Sequence, residues 1–258
     1  MIILKSLCIA FSIYSAIPVP NFEWREKEFK YNLIFFPWVG AVIGALVFLW
    51  AYAASVFDIN TLAFTLVGTA IPLLVTGGFH VDGFMDTSDA FCSHKSREEK
   101  LRILKDPHIG AFAVIRLAAI GLIYAAAFSS FSYDVVAAFA FSFFFARTLS
   151  GISVIVFPKA KKDGMVSSFS EAAHSAGKIT LYVLIAECVA CAAFVIITNV
   201  LYGIVLIAVG MAMFAYYRYR SIKELGGITG DTAGYFVTIT ETAMCVAAAI
   251  CTFALNAW

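Results

Sequence analysis

Stretches of about twenty consecutive apolar residues leave this chain few ways to fold. That length of helix crosses the hydrocarbon of a bilayer. Lipid offers no partner to an unpaired backbone N–H or C=O, so such stretches must be helical. They fall at 32–57, 59–79, 109–130, 132–157, 179–198, 199–217 and 233–257. Residues 1–20 are a further candidate, apolar but for Lys5 and ending at Pro18 and Pro20. They lack the charged start and small-residue cleavage site of a signal peptide, so they read as a retained segment that crosses the membrane or lies at its surface. Only 14% of the chain is charged, against about 25% in soluble domains. The expectation is an all-α, polytopic membrane bundle of seven or eight segments, with residues 1–258 as a single integral membrane domain.

Charge placement orients the bundle. The segments 21–31, 80–108, 158–178 and 218–232 carry 15 of the 18 Lys and Arg, whereas the turns near Asp58, Tyr133 and Asn199 carry none. By the positive-inside rule the four long segments face the cytoplasm, and any active site opens there. A net charge of +1 argues against a nucleic-acid partner. The three remaining cations are Lys5, Arg116 and Arg147, the last two inside apolar stretches along with Glu187 and Glu241. Charges there are costly in lipid, so these four are expected to face the interior, as Arg–Glu pairs or, for Arg147, on a bound phosphate. Cys188 and Cys191 form a C-x-x-C inside an apolar stretch with no second pair, which reads as packing, not zinc or redox chemistry.

The chemistry concentrates in Gly77-Gly78-Phe79-His80-Val81-Asp82-Gly83-Phe84-Met85-Asp86-Thr87-Ser88-Asp89. On a helix, Asp82, Asp86 and Asp89 share one face. Carboxylates crowded on one stripe repel unless a cation sits among them, and a hard divalent ion such as magnesium shared with phosphate oxygens suits them. The plain alternative is a solvated helix start with Asp82 as N-cap. His80 is either an acid/base or a boundary residue. A second Gly-Gly stretch, Gly226-Gly227-Ile228-Thr229-Gly230-Asp231, has the same ingredients. Such turns can offer converging N–H groups to anions. Lys105-Asp106-Pro107-His108-Ile109-Gly110 brings a lysine for phosphate, and Pro158-Lys159-Ala160-Lys161-Lys162-Asp163-Gly164-Met165 is a basic cluster suited to anionic lipid or a nucleotide. Residues 97–104 read as an amphipathic surface helix. These parts suit displacement at a diphosphate by a metal-dependent membrane transferase.

The 77–89 stretch closely resembles the signature of the cobalamin synthase family (adenosylcobinamide-GDP ribazoletransferase). Residues 105–110 and 226–232 are similar to that family's other blocks, and Pro18-Val19-Pro20 and Phe36-Pro37-Trp38-Val39-Gly40 to its N-terminal pattern. The resemblance implies a bacterial inner-membrane enzyme that joins adenosylcobinamide-GDP to α-ribazole or its 5′-phosphate and releases GMP, with magnesium as cofactor. It implies Asp82, Asp86, Asp89 and Asp231 as metal ligands, and Asp82, Asp231 and His80 as catalytic candidates. Lys105, Arg147, Gly77, Gly78, Gly227 and Gly230 would hold the diphosphate. Membrane lipid is an expected partner, as is a homo-oligomer or contact with other corrinoid-pathway enzymes. Two rival readings are a CDP-alcohol phosphotransferase, whose signature needs Ala-Arg where Asp86 and Thr87 stand, and an ion-coupled transporter built on Glu187, Glu241 and Arg147.

Overall fold

The computed structural model describes residues 2–20, 25–160, 165–175 and 178–256. Lys161, Lys162, Asp163 and Gly164 of the basic cluster lie outside the described residues. Helices make up the architecture: α1 (Ile2–Tyr14), α2 (Glu26–Phe29), a 3-10 turn (Asn32–Phe35), α3 (Phe36–Val56), α4 (Thr61–Thr76), α5 (Phe79–Cys92), α6 (Arg97–Ile103), α7 (Ala111–Phe128), α8 (Tyr133–Val156), α9 (Met165–Ser175), α10 (Ile179–Thr198), α11 (Val200–Leu225) and α12 (Gly230–Asn256).

Among the described residues six helices are long and apolar enough to cross a membrane, and the bent pair α4–α5 brings the number to seven. With 13 residues, α1 is too short to span. Its serine and tyrosine hydroxyls tie it to 25–35 instead: Ser6 donates to the Glu28 carbonyl at 2.7 Å and Tyr14 to Asn32 Oδ1 at 3.4 Å.

The axis of the bundle is α8, 72% buried where its neighbours α7 and α10 are only 22% buried. Its tightest partner is α3, for a reason written in Gly40-x-x-x-Gly44. A Cβ on Gly40 would stand 2.3 Å from the Phe143 carbonyl oxygen, and one on Gly44 2.3 Å from that of Ala140. Two glycines four apart let the backbones touch, the usual device where lipid gives no hydrophobic drive to helix pairing. The aromatic side chains of α8, with Phe128, Phe131, Phe139 and Phe143 in mutual ring contact, fill the interior on the other side.

Two expectations need correction. The stretch 59–79 is not one straight span: Gly77 and Gly78 both take left-handed φ (60° and 81°), α4 ends at Thr76, and α5 leaves at 93° to it. Glycine adopts that conformation without the steric cost other residues meet. If α4 crosses the membrane, α5 therefore lies along its face. Nor do all four intramembrane charges pair inside. Arg147 and Glu241 do, buried, at 2.5 Å. Arg116 is exposed on α7, and Glu187 is half-buried with one oxygen accepting the Trp38 indole N–H at 2.9 Å. All six cysteines are free, with Cys188 and Cys191 one turn apart on α10, as packing residues would be.

Candidate active site

The aspartates meet where α5 crosses α12. Gly83, between Asp82 and Asp86, has no room for a side chain: a Cβ there would lie 2.7 Å from the Asp231 carbonyl oxygen and 2.9 Å from its Cα. On α12, Gly234 faces His80 the same way, its Cβ position 2.9 Å from the His80 carbonyl oxygen. Thr238 fastens the crossing by donating to that same carbonyl at 3.3 Å. A backbone-to-backbone contact thus sets Asp231 beside the α5 stripe.

The start of α12 is shaped locally. The Thr232 hydroxyl accepts from the Thr229 N–H at 2.8 Å, and the Thr229 hydroxyl accepts from the Thr232 N–H at 3.2 Å. This reciprocal cap places Asp231 in the first turn, where the helix dipole favours an anion. Thr229 also donates to Asp231 Oδ2 at 3.4 Å.

On α5 the three carboxylates differ. Asp82 is exposed, and Asp86 and Asp89 are half-buried. Burial first, then Asp82, Asp231 and Asp89, raise the Asp86 carboxyl to about 6. A carboxylate held up by three like neighbours marks a spot of concentrated negative charge. Asp89 serves structure as well: its two oxygens accept the N–H groups of Gly110 and Ala113, each at 2.9 Å, and so cap α7 from outside. Replacing Asp89 by alanine is expected to cost about 0.5–2 kcal/mol of stability, the range for a lost helix cap, read as a lowered thermal midpoint in detergent. Among the described residues no three His, Cys, Asp or Glu side chains are already gathered into a metal site.

Several sequence candidates lie elsewhere. His80 is on the opposite face of α5 from the aspartates, 5% exposed, with its ring stacked on Phe36 and edge-on to Phe79. Burial and the nearby Arg147 cation keep it neutral, well below the usual histidine range. Arg147 is 1% exposed and committed to Glu241 and to the Phe143 carbonyl, so it is not open to a phosphate. Nor are the N–H groups of the paired glycines free, Gly77 N–H going to the Leu73 carbonyl. Gly78 N–H goes to the Leu73 carbonyl, Gly226 to Ile222 and Gly227 to Ser221, each closing the helix before it. Gly227 also lies flat on the 158–160 backbone, where Ile228 donates to Pro158 and Ala160 to Ile228. That pairing binds the first residues of the basic cluster to the second Gly-Gly loop. Lys159 caps α8, donating to the Phe157 carbonyl at 2.8 Å. Lys105 is exposed, and exposed Asp106 accepts from the His108 N–H at 3.0 Å in a local turn.

The expected helix at 97–103 forms as α6, but sequence reading missed its tie to α11. A capping box between Ser96 and Glu99 starts it, and Lys100, read as a surface charge, is buried against Glu224 of α11. The pair Lys100–Glu224 and the Arg220 guanidinium, 5.0 Å over the Phe91 ring, hold the ends of α5, α6 and α11 together.

Comparison with known proteins shows the family of the chain. The family model for cobalamin-5-phosphate synthase matches residues 6–249. A protein of Lachnoclostridium phytofermentans, named adenosylcobinamide-GDP ribazoletransferase, is 40% identical over 245 residues, covering 92% of this chain and 90% of its own. One of the same name from Clostridium perfringens is 30% identical, covering 92% and 94%. Another from Treponema denticola is 29% identical, covering 93% and 96%. No solved structure matches the chain. Relatives matched from end to end, and a family model spanning all but the first few and last few residues, leave one conclusion: the chain belongs to the cobalamin-5-phosphate synthase family.

Proposed function

We propose that the protein is an adenosylcobinamide-GDP ribazoletransferase, joining that nucleotide-activated corrinoid to α-ribazole or its 5′-phosphate and releasing GMP. The observation that carries it is the α5–α12 crossing, which puts acids from two motifs of the family together at the long-loop face. The positive charge of those loops supports a cytoplasmic site in a bacterial inner membrane.

In this reading the acceptor hydroxyl attacks the phosphate attached to cobinamide. A new O–P bond forms, the bond to the GMP oxygen breaks, and the hydroxyl proton passes to a carboxylate. Asp82 and Asp86 would hold magnesium. The donor set fits that ion: hard oxygens, concentrated negative charge and no soft ligand among them. Magnesium bound there would neutralise the diphosphate. Asp231, facing them from α12, takes the proton. Asp89 stays with α7, His80 and the glycine turns keep the crossing in place, and exposed Lys105 is left for the nucleotide end. A CDP-alcohol phosphotransferase or a transporter finds no support in the family match.

Purified protein incubated with adenosylcobinamide-GDP, α-ribazole 5′-phosphate and magnesium is expected to form GMP and a cobamide in equal amounts, and a chelator should stop both. GMP without cobamide would point to hydrolysis. Absence of both in active-folded protein would overturn the assignment.

A further inference from the structure

Among the described residues two intramembrane charges find no opposite charge. Arg147 and Glu241 neutralise each other, whereas Arg116 and Glu187 enter no ion pair among the described residues. One Glu187 oxygen takes the Trp38 N–H, and the other is shielded without a hydrogen-bond partner. The two residues stand on different flanks, since α7 packs on α4, α5 and α12, and α10 on α8 and α11. Within one copy they cannot meet.

Glu187 lines a long groove of about 1040 Å³ between α3, α8 and α10, open at the side. Ala41, Ala45, Ala137 and Ala190 line it with small side chains, and its acids are Glu187 and Asp134, with no cation. Small residues let a helix backbone come close. An isolated charge in lipid costs at least about 2.5–3.5 kcal/mol on insertion scales, so the groove calls for an occupant that brings positive charge to Glu187.

We propose that the chain associates head to tail with itself: α7 of one copy lies in the α3–α8–α10 groove of the next, and Arg116 pairs with Glu187. Depth matches. Both helices start at the long-loop face, Arg116 about 7 Å and Glu187 about 12 Å along them at 1.5 Å per residue, and the flexible arginine stem covers the difference. The helix offered is the right kind, peripheral and with Ile115, Leu122 and Ile123 exposed. Lipid tails carry no donor for the bare oxygen. Two grooves meeting face to face would set acid against acid, so the contact is heterologous and closes into a ring when its rotation allows.

Charge reversal tests this without reference to turnover. Wild-type protein should be oligomeric in mild detergent by light scattering. Arg116→Glu and Glu187→Arg should each weaken association at least about tenfold, and the double reversal should restore it. In membranes, a cysteine-free background carrying Arg116→Cys and Glu187→Cys together should give a ladder of crosslinked copies on oxidation, and each single cysteine should not. A monomeric wild type, single reversals that leave the mass unchanged, or a double reversal that stays monomeric while retaining its helical circular dichroism would overturn the pairing. So would a double-cysteine chain that gives no ladder, which guards against reversals that fail to fold.

Discussion

Gly83→Ala is expected to lower turnover at least about 100-fold while the protein still inserts and retains its helices. The added methyl would stand 2.7 Å from the Asp231 carbonyl oxygen and 2.9 Å from Asp231 Cα, both backbone atoms of the facing helix. No rotamer change can clear them, so α12 must retreat from α5 by something near 1 Å. Overpacking of that kind costs about 1–3 kcal/mol, which a bundle of this size survives. Catalysis is less forgiving, since a misplacement of about 1 Å can cost about 10²-fold. Here the displaced group carries Asp231. Gly234→Ala, whose methyl would lie 2.9 Å from the His80 carbonyl oxygen, should act in the same direction by opening the same crossing. Gly121→Ala is the control: nothing lies within 4 Å of its Cβ position, and its turnover should stay within about twofold of wild type. Steady-state rates beside thermal midpoints would check all three, and a Gly83→Ala enzyme with wild-type turnover would remove the crossing from the catalytic account.

Much of this arrangement was legible in the residues and part was not, and the division has physical reasons. Membrane spans declare themselves because hydrocarbon permits only helices of sufficient length. The i, i+4, i+7 spacing of Asp82, Asp86 and Asp89 predicted a shared helical face, and α5 is a helix that carries them so. What spacing could not say is where a helix stands among its neighbours. Asp89 looks like its two companions in sequence, yet the N–H groups of Gly110 and Ala113, more than twenty residues on, engage both its oxygens. Gly226 and Gly227 resemble an anion cradle, but whether an N–H is free depends on how the preceding helix ends, and α11 takes both. The glycines that do organise the site, Gly83 and Gly234, carried no signal of their own. Their role appears only when two distant helices are seen to cross. Gly40-x-x-x-Gly44, by contrast, was a readable pairing motif that was passed over.

Arg147→Ala is expected to be the most destabilising single change in the membrane interior, at about 3–5 kcal/mol, the range for leaving half of a buried ion pair uncompensated. Arg147 is 1% exposed, its guanidinium held by Glu241 and by the Phe143 carbonyl, and its removal strands a carboxylate beside His80 and Tyr124 in a small, largely apolar cavity. The converse change, Glu241→Gln, should cost less, because an amide oxygen still accepts from the arginine. Replacing both partners with apolar groups, Arg147→Met with Glu241→Leu, should recover most of the loss, since paired removal leaves no charge to desolvate. Activity then separates two roles for the pair. If it serves only to hold α8 against α12, the apolar double variant turns over at a rate close to wild type once folded. If Arg147 reaches the substrate during turnover, the double variant is stable and inactive, with its loss in kcat and not in the thermal midpoint. The geometry favours the first outcome, because an arginine that left Glu241 to meet a phosphate would leave that acid uncompensated at the buried α8–α12 contact.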